Sequence, residues 1–257
     1  MNIYFTSDLH LDVSKLPVRI DIPFYGGILL IAGDTGEARN FAYMSDLRRI
    51  CAAFDEVYAI TGNHEYYNEK IEYAEQNIRN DTKDISNFTL LQNGVVKLGK
   101  YHLITNTLWM DVNKKDPVEI NKIARGMNDF ALISIKDREN MMVPGYRTFH
   151  PTDAIRIHEK HKKFIEKEVA LYDNCIVMTH HAPILEHANL QGYDGGLMYG
   201  YASNMTKFIL DNTDKIPYWI HGHTHDHHMT LVGNTKVITH ARGYEYTPFE
   251  PQLLQLD

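Results

Sequence analysis

Residues 59–67 read Ala59-Ile60-Thr61-Gly62-Asn63-His64-Glu65-Tyr66-Tyr67. An apolar run stops at a glycine, and amide, imidazole and carboxylate groups follow at once. The run Val57 to Gly62 has the length and β-branched content of a buried strand, and Gly62 marks a turn or close approach where a side chain has no room. The same pattern recurs four times. Ile3 to Ser7 runs into Asp8-Leu9-His10, Ile28 to Gly33 into Asp34, Cys175 to Thr179 into His180-His181, and Tyr218 to His221 into Gly222-His223-Thr224-His225. Between these runs, Tyr43, Leu47, Ile50, Cys51 and Phe54 repeat at helical spacing, as do Ile157, Phe164, Ile165 and Leu171. Strands alternating with helices predict an α/β architecture with ligands beyond the carboxyl ends of the strands. All five polar groups fall at such ends.

The remaining chain is less legible. Val95 to Leu98 and Tyr101 to Thr105, joined by Gly99-Lys100, read with Leu90-Leu91 as a second sheet or its edge. Met229 to Val232, Lys236 to Thr239 and Leu253 to Leu256 read as a closing antiparallel set, with a hairpin turn at Val232-Gly233-Asn234-Thr235. Residues 106–151 have weak periodicity and read as a cap or lid inserted in a single domain spanning 1–257. Residues 182–201, with Gly192, Gly195, Gly196 and Gly200, read as a long loop.

The chain has 257 residues, 44% hydrophobic and 23% charged, which is ordinary globular composition. A net charge of −7 argues against extended nucleic acid as a partner, while small nucleotides stay open. No apolar run reaches the ~20 residues of a membrane span. Met1 to Phe5 enters a strand without a basic leader, and two cysteines in separate apolar contexts build no disulfide framework. The expectation is a cytoplasmic protein without a membrane partner; its oligomeric state stays open.

Histidine is the anomaly, 15 in 257 residues. Imidazole and carboxylate without thiolate suit borderline divalent ions such as Mn, Fe, Zn, Co or Ni. In extended backbone, residues i and i+2 share a side, which pairs Asp8 with His10 and His223 with His225. A carboxylate has two oxygens and can bridge two ions, a role open to Asp8 or Asp34. Two ions ~3.5–4 Å apart generate a hydroxide nucleophile and clamp an in-line displacement at phosphorus.

As a set, Asp8-x-His10, Gly33-Asp34, Gly62-Asn63-His64-Glu65, His180 and Gly222-His223-x-His225 resemble the calcineurin-like metallophosphoesterase superfamily. The order matches, and the match spans residues 8 to 225. The tail Arg242-Gly243-Tyr244 with Phe249-Glu250-Pro251-Gln252-Leu253 resembles bacterial and phage members. The resemblance implies a four-layer α/β/β/α sandwich, two mixed sheets flanked by helices. It implies Asp8, His10, Asp34 and His225 on one ion, Asp34, Asn63, His180 and His223 on the other, and His64 as the catalytic residue. His64 would contact phosphoryl oxygens or protonate the leaving group. Of the adjacent His180 and His181 only one is expected to ligate, and His180 is favoured.

Glu65 is expected to orient a ligand histidine by hydrogen bond. Tyr66 and Tyr67 are candidates to line a substrate pocket, and Arg242 to touch the substrate phosphate. His158 and His161, among Glu159, Lys160, Lys162 and Lys163, read as a solvated helix face. His240 is a candidate to approach the site; His221 reads as a strand residue, and Cys51 and Cys175 as core. No Walker loop, GxSxG elbow or CxxC supports other chemistry. The leading expectation is a metal-dependent phosphoesterase, diester ahead of monoester. A phosphomonoesterase or nucleotide phosphatase on the same site is the alternative, and a non-catalytic metal-binding scaffold the remote one.

Overall fold

The computed structural model describes residues 1–12, 22–38, 44–137, 145–189, 196–244 and 248–256. The strands in chain order are β1 (Ile3–Thr6), β2 (Ile28–Ile31), β3 (Glu56–Ala59), β4 (Phe88–Leu90), β5 (Gly94–Leu98), β6 (Tyr101–Asn106), β7 (Ser134–Asp137), β8 (Gly145–Thr148), β9 (Cys175–Thr179), β10 (Tyr218–His221), β11 (His227–Val232), β12 (Thr235–His240) and β13 (Gln252–Leu253). They form one sheet ordered β13-β1-β2-β3-β4, a second ordered β11-β12-β10-β9-β6-β5, and the hairpin β7-β8. Strands β1 to β4 run parallel, with β4 at one edge, as do β6, β9, β10 and β12; β13, β11 and β5 close the other edges antiparallel. Both large sheets are therefore mixed.

Why the strand sequences are continuously apolar follows from the layering. Ile28 and Leu30 face inward, and with Ile3 and Phe5 they meet Leu103, Ile176, Met178, Tyr218 and Ile220 of the second sheet. The alternate residues face outward. Leu29, Ile31 and Val57 pack under Leu47 and Ile50 of helix Met44–Cys51, while Ile104, Val177 and Trp219 pack under Ile165 and Val169 of helix Pro151–Leu171. Helix, sheet, sheet, helix is the result. No helix among the described residues is long and apolar enough to cross a membrane.

Several expectations change. The three late runs are not one antiparallel set: β11 pairs antiparallel with β12, but β12 lies parallel to β10, and β13 joins the other sheet beside β1. The hairpin turn lies as read, with Val232 opposite Thr235. Leu90 ends a strand of the first sheet, and β6 is interior to the second. Residues 182–201 are not all loop, since Leu185–Asn189 and Met198–Tyr201 are helical; 190–195 lie outside the described residues. In 106–151, helix Pro117–Gly126, the turn Asp129–Leu132 and β7-β8 bury Ile123, Phe130 and Ile135 in a cluster shared with Tyr66 and Tyr67. Helix Ile71–Asp81 had not been expected; it buries only Ala74 and Ile78, too thin a stripe to read. Tyr43 lies outside the described residues.

His158 and His161 are not solvated. They are 4% and 7% exposed, on the inner side of helix Pro151–Leu171, where His158 Nδ1 meets the Leu108 carbonyl at 3.1 Å. The flanking charges belong to the outer side, and the two imidazoles three residues apart belong to the inner one. His150 caps the same helix, accepting from the Thr152 amide.

Candidate metal centre

Each strand end turns sharply, and the side chains converge because of those turns rather than the strand pleat. Asp8, His10, Asp34, His223 and His225 all have left-handed backbone, with φ of 51°, 42°, 54°, 70° and 51°. This region is sparsely used by residues with a Cβ, and its clustering here marks a functional site. The turns are laced together: the Asp8 and His10 amides donate to the Gly33 and Asp34 carbonyls, and the His223 amide donates to Asp8 Oδ1 at 3.0 Å. Gly62 and Gly33 are required by space. A Cβ on Gly62 would lie 2.6 Å from His180 Cε1, and one on Gly33 2.5 Å from His180 Nδ1.

Two ligand groups result, Asp8, His10, Asp34 and His225 in one, and Asp34, His180 and His223 in the other. Asp34 is common to both. Its Oδ2 faces His10 Nε2 at 3.8 Å and its Oδ1 faces His180 Nε2 at 3.4 Å. His10 Nε2 and His225 Nε2 lie 3.0 Å apart; His180 Nε2 lies 3.2 Å from His223 Nδ1 and 3.0 Å from Asn63 Oδ1. His223 and His225 thus part to different groups despite their i, i+2 spacing. The Ala32 carbonyl, which only accepts, meets His180 Nδ1 at 2.8 Å and so directs the Nε2 lone pair into the centre. His181 points away, its Nδ1 3.3 Å from the Thr107 carbonyl.

The electrostatics fit cations. Burial alone would raise Asp34, but the imidazoles of His180, His64 and His10 hold its carboxyl well below the usual range. Burial opposes a charge on His180, yet Asp34 and Asp8 push it up to about 9. Burial takes His10 down to about 3, and holds His223 far below the ordinary value. Buried carboxylates that call for positive charge, beside the neutral imidazoles of His10 and His223, form a donor set for borderline divalent ions.

A family model described as calcineurin-like phosphoesterase matches residues 1–227. The chain belongs to the calcineurin-like phosphoesterase family. An uncharacterized protein of Acanthamoeba polyphaga mimivirus is 24% identical over 230 residues, covering 85% of this chain and 79% of that protein. The crystal structure of phosphopantetheinyl hydrolase from Mycobacterium tuberculosis superposes with a TM-score of 0.70 at 14% identity, over 100% of this chain and 96% of that one. This likeness is one of fold.

Within this phosphoesterase fold the other expected site residues divide. His64 lines the crevice above the centre, its amide donating to Asp34 Oδ1 at 2.9 Å. Tyr67 lines it too, its ring 4.2 Å from that of His64 and its hydroxyl donating to Asp129. Tyr66 does not. It is 3% exposed, its hydroxyl 2.8 Å from Thr61 Oγ1 and its ring on Trp109, because in the 3₁₀ turn at His64–Tyr66 positions three apart share a side, so Tyr67 follows His64 while Tyr66 turns away. Glu65 orients no histidine. It accepts from the Gly62, Asp34 and Thr35 amides at 2.6, 3.1 and 2.7 Å, tying two ligand loops together. Burial, with Asp34 second, pushes its carboxyl up to about 8. Arg242 is absent from the crevice lining, and its Nη1 donates to the Leu9 carbonyl at 2.7 Å. His240 meets His227 and the Glu250 carbonyl instead of the centre. His221 is a β10 residue, with its Nε2 2.6 Å from His187 Nδ1. Cys51 and Cys175 are buried.

Gly126, Met127, Asn128, Asp129, Tyr201 and Tyr244 of the crevice lining escaped the sequence reading. Asp129 accepts from Asn63 Nδ2 at 2.8 Å, turning the amide oxygen toward His180. Tyr201 stacks on His223, and Tyr244 on His10, with ring centroids 4.8 and 4.2 Å apart. Tyr244 follows β12, which runs parallel to β10, so the end of β12 opens on the same crevice.

Proposed function

We propose that the chain is a dinuclear-metal-dependent phosphoesterase that hydrolyses phosphodiesters in preference to monoesters, working as one domain. The observation that supports the diester is the absence of any Lys or Arg among the described residues lining the crevice. A monoester carries up to two negative charges, a diester one. Two aspartates and a hydroxide nucleophile would offset three of the four charges of two divalent ions, and a singly charged phosphate matches what remains. The crevice is about 140 Å³, below the ~300–1,000 Å³ of pockets that engulf drug-sized ligands. It takes in the phosphoryl group and leaves most of the substrate outside.

Asp8, His10, Asp34 and His225 would hold one ion, and Asp34, Asn63, His180 and His223 the other. Bound there, the ions supply Lewis acidity and an activated water for attack on phosphorus. The protein's own contributions are positional. Asp34 spans both groups, Glu65 fixes the loops that carry Asp34 and Asn63, and His64 projects over the centre, where it meets a phosphoryl or leaving-group oxygen. A shared fold with an enzyme named as a phosphopantetheinyl hydrolase supports hydrolysis as the reaction.

The test is Mn²⁺-dependent hydrolysis of bis(4-nitrophenyl) phosphate beside 4-nitrophenyl phosphate, each with a chelated control. Chelator-sensitive turnover with the diester faster is the expected result. A faster monoester would replace the diester reading with a phosphomonoesterase, and no turnover with two ions bound would overturn both.

A further inference from the structure

Tyr244 Oη lies 2.9 Å from His64 Nε2, 180 residues away in sequence. The contact is built rather than incidental. Ser7 pairs with Ala241 in a parallel bridge beyond the ends of β1 and β12. The Arg242 amide donates to the Ser7 carbonyl and the Gly243 amide to the Asp8 carbonyl, each at 2.9 Å. Arg242 Nη1 adds its bond to the Leu9 carbonyl at 2.7 Å. Residues 241–243 are thereby clamped along the loop that carries Asp8 and His10, and Gly243 turns the chain with φ of 74°. The Tyr244 ring then lies over His10 and His225, with centroids 4.2 and 4.6 Å away. It is 57% exposed, so its outer face meets solvent while its hydroxyl reaches inward.

His64 has few other restraints. Among the described residues its buried Nδ1 has no hydrogen-bond partner, so no carboxylate or carbonyl of theirs on that nitrogen sets the ring's rotation. What fixes the imidazole among them is the Tyr67 ring at 4.2 Å, the His10 ring edge-on at 4.4 Å and, as the one directional bond on a ring nitrogen, the Tyr244 hydroxyl on Nε2. Stacking fixes the plane of the ring but tolerates its half-turn flip about Cβ–Cγ, whereas the hydrogen bond to Nε2 selects one of the two orientations.

We propose that Tyr244 is the positioning residue of His64: its hydroxyl holds Nε2 toward the crevice, and its ring roofs the His10/His225 half of the centre. This rests on the phosphoesterase reading for its effect on rate, but not for the contact itself. Two measurements separate these. In metal-free protein, nitrogen-15 correlation spectra of the histidine rings are expected to show the His64 ring-nitrogen shifts moving in Tyr244→Phe and holding in Tyr201→Phe, whose stack is on His223. In the metal-loaded enzyme, Tyr244→Phe is expected to lower kcat about tenfold, with KM within about twofold and both ions retained. In a His64→Ala background the same substitution is expected to add nothing. Unmoved His64 shifts, or an equal loss of rate in both backgrounds, would overturn the proposal. Wild-type protein without turnover would sink the phosphoesterase reading instead, and the spectra would still decide the contact.

Discussion

Asp34 presents Oδ1 to His180 at 3.4 Å and keeps Oδ2 for the other ligand group, 3.8 Å from His10. One carboxylate therefore serves both halves of the centre. Asp34→Asn replaces one oxygen with an amide that cannot ligate in the same way and removes a negative charge between the two proposed ion sites. Both ions are expected to be lost together, with a fall in rate of at least ~10²-fold. Metal content by atomic absorption beside kcat checks this, and retention of one full equivalent would show that Asp34 does not bridge. His64→Ala is expected to behave oppositely: two ions retained and a rate loss of ~10²–10⁴-fold. Full activity in that variant would remove His64 from the chemistry.

Asp129 acts on Asn63 from behind. An amide has two chemically different ends, and the 2.8 Å bond from Asn63 Nδ2 to Asp129 Oδ1 decides which one faces His180. Asp129→Ala frees the amide to turn its NH₂ toward the centre. Metal affinity at that half is expected to weaken ~10–100-fold, the usual cost of losing a group that orients a ligand. Competition against a graded chelator series reads this. Tyr67→Phe removes the other donor to Asp129 and a longer, 3.1 Å acceptor for Asn63 Nδ2 and should shift affinity less; the reverse ranking would show that the tyrosine, not the aspartate, holds the amide.

The five strand ends were legible because a strand buried on both faces is apolar at every position, so polar residues beyond its end stand out against it. Asp8, His10, Asp34, Asn63, His180, His223 and His225 come together from such ends. What was not legible came from elements whose pairing the local sequence leaves open. Tyr244 reaches the crevice only because β12 lies parallel to β10 rather than in an antiparallel set. Asp129 arrives from a four-residue turn with no periodicity to mark it. Tyr66 and Tyr67 differ by one position, and only the turn's geometry sends one to the core and the other to the crevice. The burial of His158 and His161 was hidden by the charges on the opposite face of their helix.

Gly62 is a test of space rather than of backbone freedom. Its Cβ position is filled by His180, 2.6 Å from Cε1, and by the Asp34 carboxylate. Gly62→Ala must displace one ligand from each group or move the turn that carries Asn63. The expected outcome is destabilisation by ~1–3 kcal/mol, as for overpacking elsewhere, together with loss of metal. Denaturant midpoints measured with and without Mn²⁺ check it. A variant that still gains wild-type stabilisation from the ion would show that the neighbouring groups can give way.

His161 predicts how stability depends on pH. It is buried, its Nδ1 has no partner, and burial, helped by His158, lowers it from 6.5 to about 3. Between those values the unfolded chain binds a proton that the folded chain refuses. Stability is therefore intact above the ordinary histidine value and is lost as pH falls from 6.5 towards 3. Each such proton steepens the acid limb by up to ~1.4 kcal/mol per pH unit. His161→Leu keeps an apolar side chain in the site and removes the titration, so its unfolding free energy should fall less steeply over the same window. Urea denaturation at several pH values between 4.5 and 7, in metal-free protein so that ligand titration is common to both, gives the two slopes. Equal slopes would mean that the folded protein admits the proton and that His161 is not held neutral.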